Sequence, residues 1–479
     1  MGTDITLPLW LAAILALLAL WAALERLLIP SVRWVLRRRL NRVIDELNTR
    51  LPLEIQPFKL TKRQVLIDRL IYDGEILEAV AETAEREEVP RQVVMADVER
   101  FAREIVPAFN AYFYFRIGYW LSRRIAQMLY RVRLGFADEA ALATIDRKTT
   151  VVFVMNHRSN ADYVLVTYLA ADQAALSYAV GEWARIWGLR HLIRAMGAYF
   201  VRRGSDNRLY RRVLQRYVQM ATEGGVTQAV FLEGGLSRDG SLGAAKLGLL
   251  DYIARAFEPE GERELVFLPV GINYDRVLED RSLLRSLDQA ARRKSRTQAT
   301  RTTLAFLGHQ LALAIRGRWF RFGYATVNFG RPLSLRAWLG AREADLRDLS
   351  REQRFANIQE LADELMAAIA LLVPVLPVSV VATAFFADPQ RSLSLYELKA
   401  ECHRLQRMFT AAGAHVYLPR GQEDYAITVG LRMLTLRHLV AEEDGLYHAV
   451  ESELPVLSYY AKAVAHLLPK DGVAATTPA

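Results

Sequence analysis

The chain has 479 residues and a mass of 54.3 kDa, about three times a typical ~150-residue domain, so several structural units are expected. Hydrophobic residues make up 52% and charged residues 24%, which excludes a disordered or acidic-tail protein, and a single cysteine, Cys402, excludes a disulfide framework, a zinc finger and a CxxC centre. The 62 basic residues outnumber 53 acidic ones to give a formal charge of +9, which implies acidic company: nucleic acid, an anionic membrane surface or phosphorylated substrates.

From Leu9 to Leu24 no residue is polar, and Ile5 extends the stretch with only Thr6 and Pro8 as interruptions. At ~1.5 Å per residue this spans ~30 Å, the thickness of one bilayer core. Arg26, Arg33, Arg37, Arg38, Arg39 and Arg42 follow, and nothing before Arg26 is basic. The positive-inside rule then predicts a membrane anchor and basic flank over 1–40, with the rest of the chain on the cytoplasmic side. A secretory signal would carry its positive charge on the other side of the apolar run. A buried core helix is the alternative.

Residues 41–145 read as a helical N-terminal region. Within it, Ile105 to Leu121 holds Phe109, Tyr112, Phe113, Tyr114, Phe115, Tyr119 and Trp120, with Arg116 inside and Arg123, Arg124, Arg131 and Arg133 just after. Rings flanked by arginines suit a helix lying among lipid headgroups, and equally an aromatic-rich core helix.

From 146 to 335 the pattern alternates. Thr150–Met155, Gln228–Leu232 and Leu265–Ile272 are apolar, β-branched runs that predict buried strands. Helical periodicity covers Ala161–Ala171 and Asp206–Thr222, so the fold class is α/β. Residues 292–301, basic and rich in Ser, Thr and Gln, read as an exposed loop or linker. A helical connector at 336–375 carries the stripe Phe355, Ile358, Ala362, Leu365 and Ile369. Pro374 and Pro377 then mark a boundary. A smaller α/β C-terminal domain, 376–479, is expected to open with a strand at Val378–Ala382. A capping box at Ser394 and Glu397 follows, with Leu395, Leu398, Cys402, Leu405 and Phe409 on one face. Cys402 on that stripe reads as core rather than as a nucleophile.

The chemistry begins at Asn156-His157-Arg158-Ser159-Asn160-Ala161-Asp162. On one continuous helix His157 and Asp162 would point ~140° apart. Ser159 and Asp162 instead have capping-box spacing, which puts Asp162 in a first helical turn and His157 in the loop before it. The carboxylate can then meet one imidazole nitrogen and leave the other free as a general base. A loop histidine of this kind is expected to contribute little packing.

Three further blocks follow in order: Gly197-Ala198-Tyr199-Phe200-Val201-Arg202-Arg203, Phe231-Leu232-Glu233-Gly234-Gly235-Leu236-Ser237-Arg238, and a strand with an internal proline, Val266 to Tyr274 around Pro269. This set (HxxxxD, GxxFxxR, FxEGxxSR and the proline strand) resembles the glycerolipid acyltransferases, and most closely the glycerol-3-phosphate and dihydroxyacetone-phosphate acyltransferases. The double glycine after the glutamate, the long C-terminal extension and the ending Leu457-Ser458-Tyr459-Tyr460-Ala461-Lys462-Ala463 strengthen that likeness.

The resemblance implies an acyltransferase domain with a mixed sheet flanked by helices. It implies a membrane-bound enzyme that moves a fatty acyl chain from acyl-CoA or acyl carrier protein to the sn-1 hydroxyl of glycerol 3-phosphate, the first step of phospholipid synthesis. His157 would be the base and Asp162 its orienting partner. Arg203 and Arg202 would hold the acceptor phosphate, while Glu233, Gly234, Gly235, Ser237 and Arg238 would build the acceptor pocket. Pro269 would shape the acyl-donor side. No metal and no cofactor beyond the thioester substrate is implied; an anionic phospholipid membrane is the expected partner. Physical chemistry fits these roles. An alcohol needs a base and a thioester needs oxyanion stabilisation, and arginine forks bind two phosphate oxygens at once.

Leu236 stands where many members carry arginine, which leaves the acceptor open between glycerol 3-phosphate, dihydroxyacetone phosphate and lysophosphatidate. A serine hydrolase would need a G-x-S-x-G elbow, and Gly235-Leu236-Ser237-Arg238-Asp239 fails at the second glycine. No helix-turn-helix, zinc or RNP signature supports a nucleic-acid partner. A catalytically silent lipid-binding membrane protein is the non-enzyme alternative.

Overall fold

A computed structural model describes residues 53–170, 174–181, 189–202, 204–287 and 321–468. The anchor and basic flank at 1–40, the loop at 292–301 and Arg203 lie outside the described residues. Among the described residues no helix is long and apolar enough to cross a membrane.

Helices Arg63–Ile71, Gly74–Glu87 and Arg91–Ile105 open the described chain, followed by a π-helical turn at Phe113–Gly118 and a helix at Tyr119–Leu129. The expected helical region stops there. Arg131-Val132-Arg133-Leu134 has the two-residue period of a strand, and Arg131–Ala137 forms β1. Seven further strands complete a mixed sheet: β2 Thr150–Met155, β3 Ser177–Val180, β4 Tyr199–Phe200, β5 Gln228–Phe231, β6 Leu265–Tyr274, β7 Tyr324–Phe329 and β8 Leu333–Ser334. The order is β1-β7-β6-β2-β5-β3-β4, with β8 beside β6. β2 runs parallel to both β5 and β6, β3 is parallel to β5, and β4 is parallel to β3. β7 is antiparallel to β6. Of the block Gly197 to Arg203, only the two residues of β4 are strand among the described residues.

β2 is buried along its whole length, as an unbroken apolar run flanked by two parallel neighbours requires. Its side chains alternate between two cores. Val151, Phe153 and Met155 join one cluster with Val378, Phe385, Cys402, Phe409, Tyr459 and Tyr460. Val152 and Val154 join another with Ile67, Phe101, Tyr210, Ile358 and Leu365. The C-terminal block therefore shares a continuous core with one sheet face. The helix Arg351–Leu372 and the N-terminal helices cover the other.

Val378–Ala382 is not a strand: Pro377–Ala387 is a helix with proline in its first turn, buried from Pro377 through Phe385. An element that is apolar all round shows no period to tell helix from strand. The block is mainly helical, with one small antiparallel sheet of β9 Leu393–Ser394, β10 Val440–Glu443 and β11 Leu446–Ala449.

Pro269 sits inside β6, opposite Val154 of β2. A proline there would normally break the ladder. It is tolerated because its carbonyl and missing N–H face the gap between β7 and β8, where the Gly330 N–H donates to the Pro269 carbonyl at 2.9 Å.

Candidate active site

The parallel strands β2, β5, β3 and β4 end on the same edge of the sheet, the edge where α/β folds place their ligands. β2 and β5 are neighbours there, with Met155 opposite Phe231, so the loops after them meet. The His157 N–H donates to the Glu233 carboxylate at 2.8 Å, and the Ser237 N–H donates to the His157 carbonyl at 2.9 Å. Asn156 pins the same loop to β6: its amide donates to the Ile272 carbonyl at 2.9 Å and accepts from the Ile272 N–H at 2.8 Å.

Asp162 lies in the first turn of the helix Ala161–Ala170. Its Oδ2 accepts from the backbone N–H of Arg158 at 2.8 Å and of Ser159 at 3.1 Å, and meets His157 Nδ1 at 2.9 Å. Its Oδ1 accepts from the Tyr274 hydroxyl at 2.5 Å. Burial, and then the Asp162 charge, push the Tyr274 phenol well up, so Tyr274 keeps its proton and is the donor. With Nδ1 committed to Asp162, the remaining nitrogen of His157 is Nε2. It is buried and has no hydrogen-bond partner among the described residues.

His157 packs more than a loop residue is expected to. It is 0% exposed; its ring stacks on Phe231 at 3.8 Å and meets the edge of Tyr163 at 5.6 Å.

Among the described residues, the other expected ones include braces of the loops and one cation with no carboxylate partner there. Glu233 accepts from His157 and, at 2.8 Å, from the Gly243 N–H; burial raises its carboxyl above the usual range, opposed by Arg158 and these two donors. Gly234 has φ +66°, and a Cβ there would come within 2.8 Å of Lys246 Cγ, so the turn requires glycine. Ser237 donates to the Ser241 carbonyl at 2.7 Å and accepts from the Gly240 N–H at 3.1 Å, which makes it a loop organiser. Gly235 and Leu236 are half-buried, and Leu236 joins none of the described core clusters. Arg238 is exposed and has no carboxylate partner among the described residues.

Arg202 is engaged elsewhere. Its Nε and Nη2 donate to the two oxygens of Glu104 at 2.8 and 2.6 Å, and its guanidinium lies over the rings of Phe101 and Tyr210. It also follows β4, three strand spacings (about 14 Å) from β2. A phosphate at Arg202 would have to compete with Glu104. Cys402 is buried, and burial pushes its thiol far up, so it is core as expected.

Several parts of the site carry no motif signal. Glu279 accepts from the Ser159 hydroxyl at 2.7 Å and the Asn160 amide at 3.1 Å. Arg158, 1% exposed, donates to the carbonyls of Gly240 and, at 2.9 Å, Ala463. The helix Leu454–Ala465 thereby grips both active-site loops from behind. Gly240, at φ +92°, allows that approach, because a Cβ there would collide with the Tyr459 backbone. Tyr460 donates to Asp280 at 2.5 Å, Arg437 pairs with the same oxygen, and the Val277 N–H donates to the Tyr460 hydroxyl at 3.1 Å. Tyr274 and Tyr460 both lie within stretches singled out by resemblance; Glu279 and Arg437 do not.

Comparison with known proteins agrees with this organisation. The acyltransferase family model matches residues 139–273, which contain both loops of the site. The model described as the glycerol-3-phosphate acyltransferase C-terminal region matches residues 278–477. A glycerol-3-phosphate acyltransferase from Actinobacillus succinogenes is 25% identical over 73% of this chain and 42% of its own length. One from Ectopseudomonas mendocina is 26% identical over 85% of this chain and 49% of its own. The chain thus spans about half the length of the curated relatives it matches. A solved 1-acyl-sn-glycerophosphate acyltransferase from Thermotoga maritima covers 64% of this chain at 15% identity with a TM-score of 0.30, too slight a likeness to inform the site. Residues 139–273 thus match the acyltransferase family, and residues 278–477 match the C-terminal region of the glycerol-3-phosphate acyltransferases.

Proposed function

We propose that this chain transfers a fatty acyl group from an acyl thioester, acyl-CoA or acyl carrier protein, to the sn-1 hydroxyl of glycerol 3-phosphate, on the cytoplasmic side of a membrane. The observation that carries this reading is His157, whose Nδ1 meets an Asp162 held by three other donors, while Nε2 has no partner among the described residues. An acceptor hydroxyl delivered to Nε2 completes its hydrogen bonding. As the hydroxyl oxygen attacks the thioester carbonyl, Nε2 takes its proton and Asp162 stabilises the imidazolium. Collapse of the tetrahedral intermediate breaks the C–S bond, and the departing thiolate takes the proton back. Neither Ser237 nor Cys402 is available as a nucleophile, so transfer is direct and no acyl-enzyme forms.

Nε2 is screened from solvent here, so substrate entry must displace a covering side chain. Arg203 and Arg238 are the acceptor-phosphate groups in this reading, with the Gly234-Gly235 turn allowing close approach. The names of the relatives favour glycerol 3-phosphate over dihydroxyacetone phosphate and lysophosphatidate. One labelled acyl-CoA offered with each of these three acceptors, with products identified by mass, tests the assignment. Acylated glycerol 3-phosphate as the main product is expected; product only from another acceptor overturns the substrate. No transfer to any acceptor would favour a silent lipid-binding protein.

A further inference from the structure

From Ile105 to Ala137 the chain contains no acidic residue, yet it contains Arg116, Arg123, Arg124, Arg131 and Arg133. The π-helical turn Phe113–Gly118 and the helix Tyr119–Leu129 occupy the middle of this stretch and have two unlike sides. One side is seated on the protein. Tyr114 is buried in a small cluster with Ile55 and Ala175, and Ser122, Ala126 and Leu129 are buried in the helix. The Tyr119 ring lies 6.1 Å from that of Tyr168, and Gln127 donates to the Tyr168 hydroxyl at 3.0 Å. This side therefore packs on the helix Ala161–Ala170, which bears Asp162.

The other side has Tyr112 at 50%, Ile117 at 42% and Trp120 at 61% exposure, with Met128 exposed below them. Arg116, Arg123 and Arg124 are exposed between these residues. Positions 116–117, 120, 123–124 and 128 follow helical spacing and form one stripe. The extra residue of the π turn, closed by the Tyr119 N–H on the Tyr114 carbonyl, brings Arg116 and Ile117 onto it together. Several arginines elsewhere are matched: Arg202, Arg216, Arg281, Arg336, Arg354 and Arg437 pair with carboxylates. Among the described residues Arg116, Arg123 and Arg124 have no such partner.

We propose that this stripe docks on the surface of an anionic lipid bilayer. Three exposed cations on an acid-free stretch attract an anionic partner, and arginine matches phosphate headgroups while its stem lies along apolar surface. Tyr112 and Trp120 suit the headgroup depth, where an amphipathic ring has both its apolar body and its polar edge satisfied. Ile117 and Met128 reach the acyl boundary. The docked helix holds Ala161–Ala170, and with it the catalytic loop, directly behind the lipid surface. This contact is independent of any anchor at 1–40 and of the acyl-transfer reading.

The full chain carries its own test. Cys402 is buried and its thiol is pushed far up, so an Ile117→Cys variant can be labelled at position 117 alone with a polarity-sensitive dye. The probes are vesicles of phosphatidylcholine alone or with about one-third phosphatidylglycerol. The dye is expected to blue-shift and brighten on the anionic vesicles only, to be quenched by spin-labelled acyl chains, and to lose its response in high salt. In the Arg116→Gln/Arg123→Gln/Arg124→Gln background the vesicle concentration needed should rise about a hundredfold. A dye at position 396, introduced by Tyr396→Cys, should stay in water. The proposal is overturned by a dye at 117 that stays wet while the protein sediments with vesicles, by an equal response to neutral vesicles, or by a dye already shielded before vesicles are added, which would mean that protein covers the stripe. Acyl transfer measured in neutral detergent reports separately on the site and is expected to survive all three arginine substitutions.

Discussion

The loops that follow β2 and β4 leave the same edge of one sheet, and they are held in opposite ways. After β2, nearly every polar atom is fixed by residues far along the chain: Asn156 by Ile272, Asp162 by Tyr274, Ser159 by Glu279, and Arg158 by Gly240 and Ala463. Among the described residues, the buried atoms His157 Nε2, Arg158 Nε and Asn160 Oδ1 of that loop have no partner. After β4, a two-residue strand is followed by Arg202, whose fork is already filled by Glu104 on an N-terminal helix. The first loop is built to hold one nitrogen in place. At the second, Arg202, expected as a phosphate ligand, is paired with Glu104 and so links the edge strand to its covering helix.

This contrast can be broken most severely at Asp162. Asp162→Asn retains an oxygen for the backbone N–H groups but removes the charge that stabilises the imidazolium, and turnover should fall by roughly 10²–10⁴-fold with a small residual rate. Arg158→Met is next, with a readout in stability. It leaves the buried carbonyls of Gly240 and Ala463 without their charged donor, which costs about 3 kcal/mol and lowers the melting temperature. An unchanged melting temperature would mean that the C-terminal helix does not hold the loop.

The third comparison sets Arg203 against Arg202. Arg203→Ala should raise acceptor KM, or lower kcat/KM, by roughly ten- to a hundredfold with acyl-donor KM nearly unchanged, because a hydrogen bond to a charged group is worth ~1.5–3 kcal/mol. Lysine should rescue poorly, since it offers a point charge in place of a fork. Arg202→Ala should leave acceptor KM alone and cost at most about 1 kcal/mol of stability through its half-exposed pair. Equal effects on acceptor KM would erase the distinction. The smallest effect is expected at Tyr274→Phe: a several-fold drop in kcat with both KM values kept, since Tyr274 orients Asp162 and touches no substrate in this account.

What is legible in the sequence follows from range. The strand–turn–helix around His157 and Asp162 is local: capping-box spacing places Asp162 in the first turn, and the Ser159 N–H does donate to it. The β-branched runs at 150–155 and 265–272 are buried strands because they have neighbours on both sides. The helix at 377–387 escapes because its apolar residues surround it and leave no period. The packing of His157 against Phe231 escapes for a different reason: it depends on β2 and β5 being neighbours, a pairing across more than seventy residues of chain. Glu104, at the end of a helix with no motif, gives no sign that it will occupy Arg202.

The central claim is that His157 acts through an Nε2 left free by the Asp162 contact, and His157→Asn tests it most directly. An asparagine amide can stand where Nδ1 stands and still donate to Asp162, but nothing replaces Nε2. The account predicts a folded protein, somewhat less stable for the loss of the ring against Phe231, whose acyl transfer to glycerol 3-phosphate falls by roughly 10²–10⁴-fold. Near-normal turnover in that variant would contradict it.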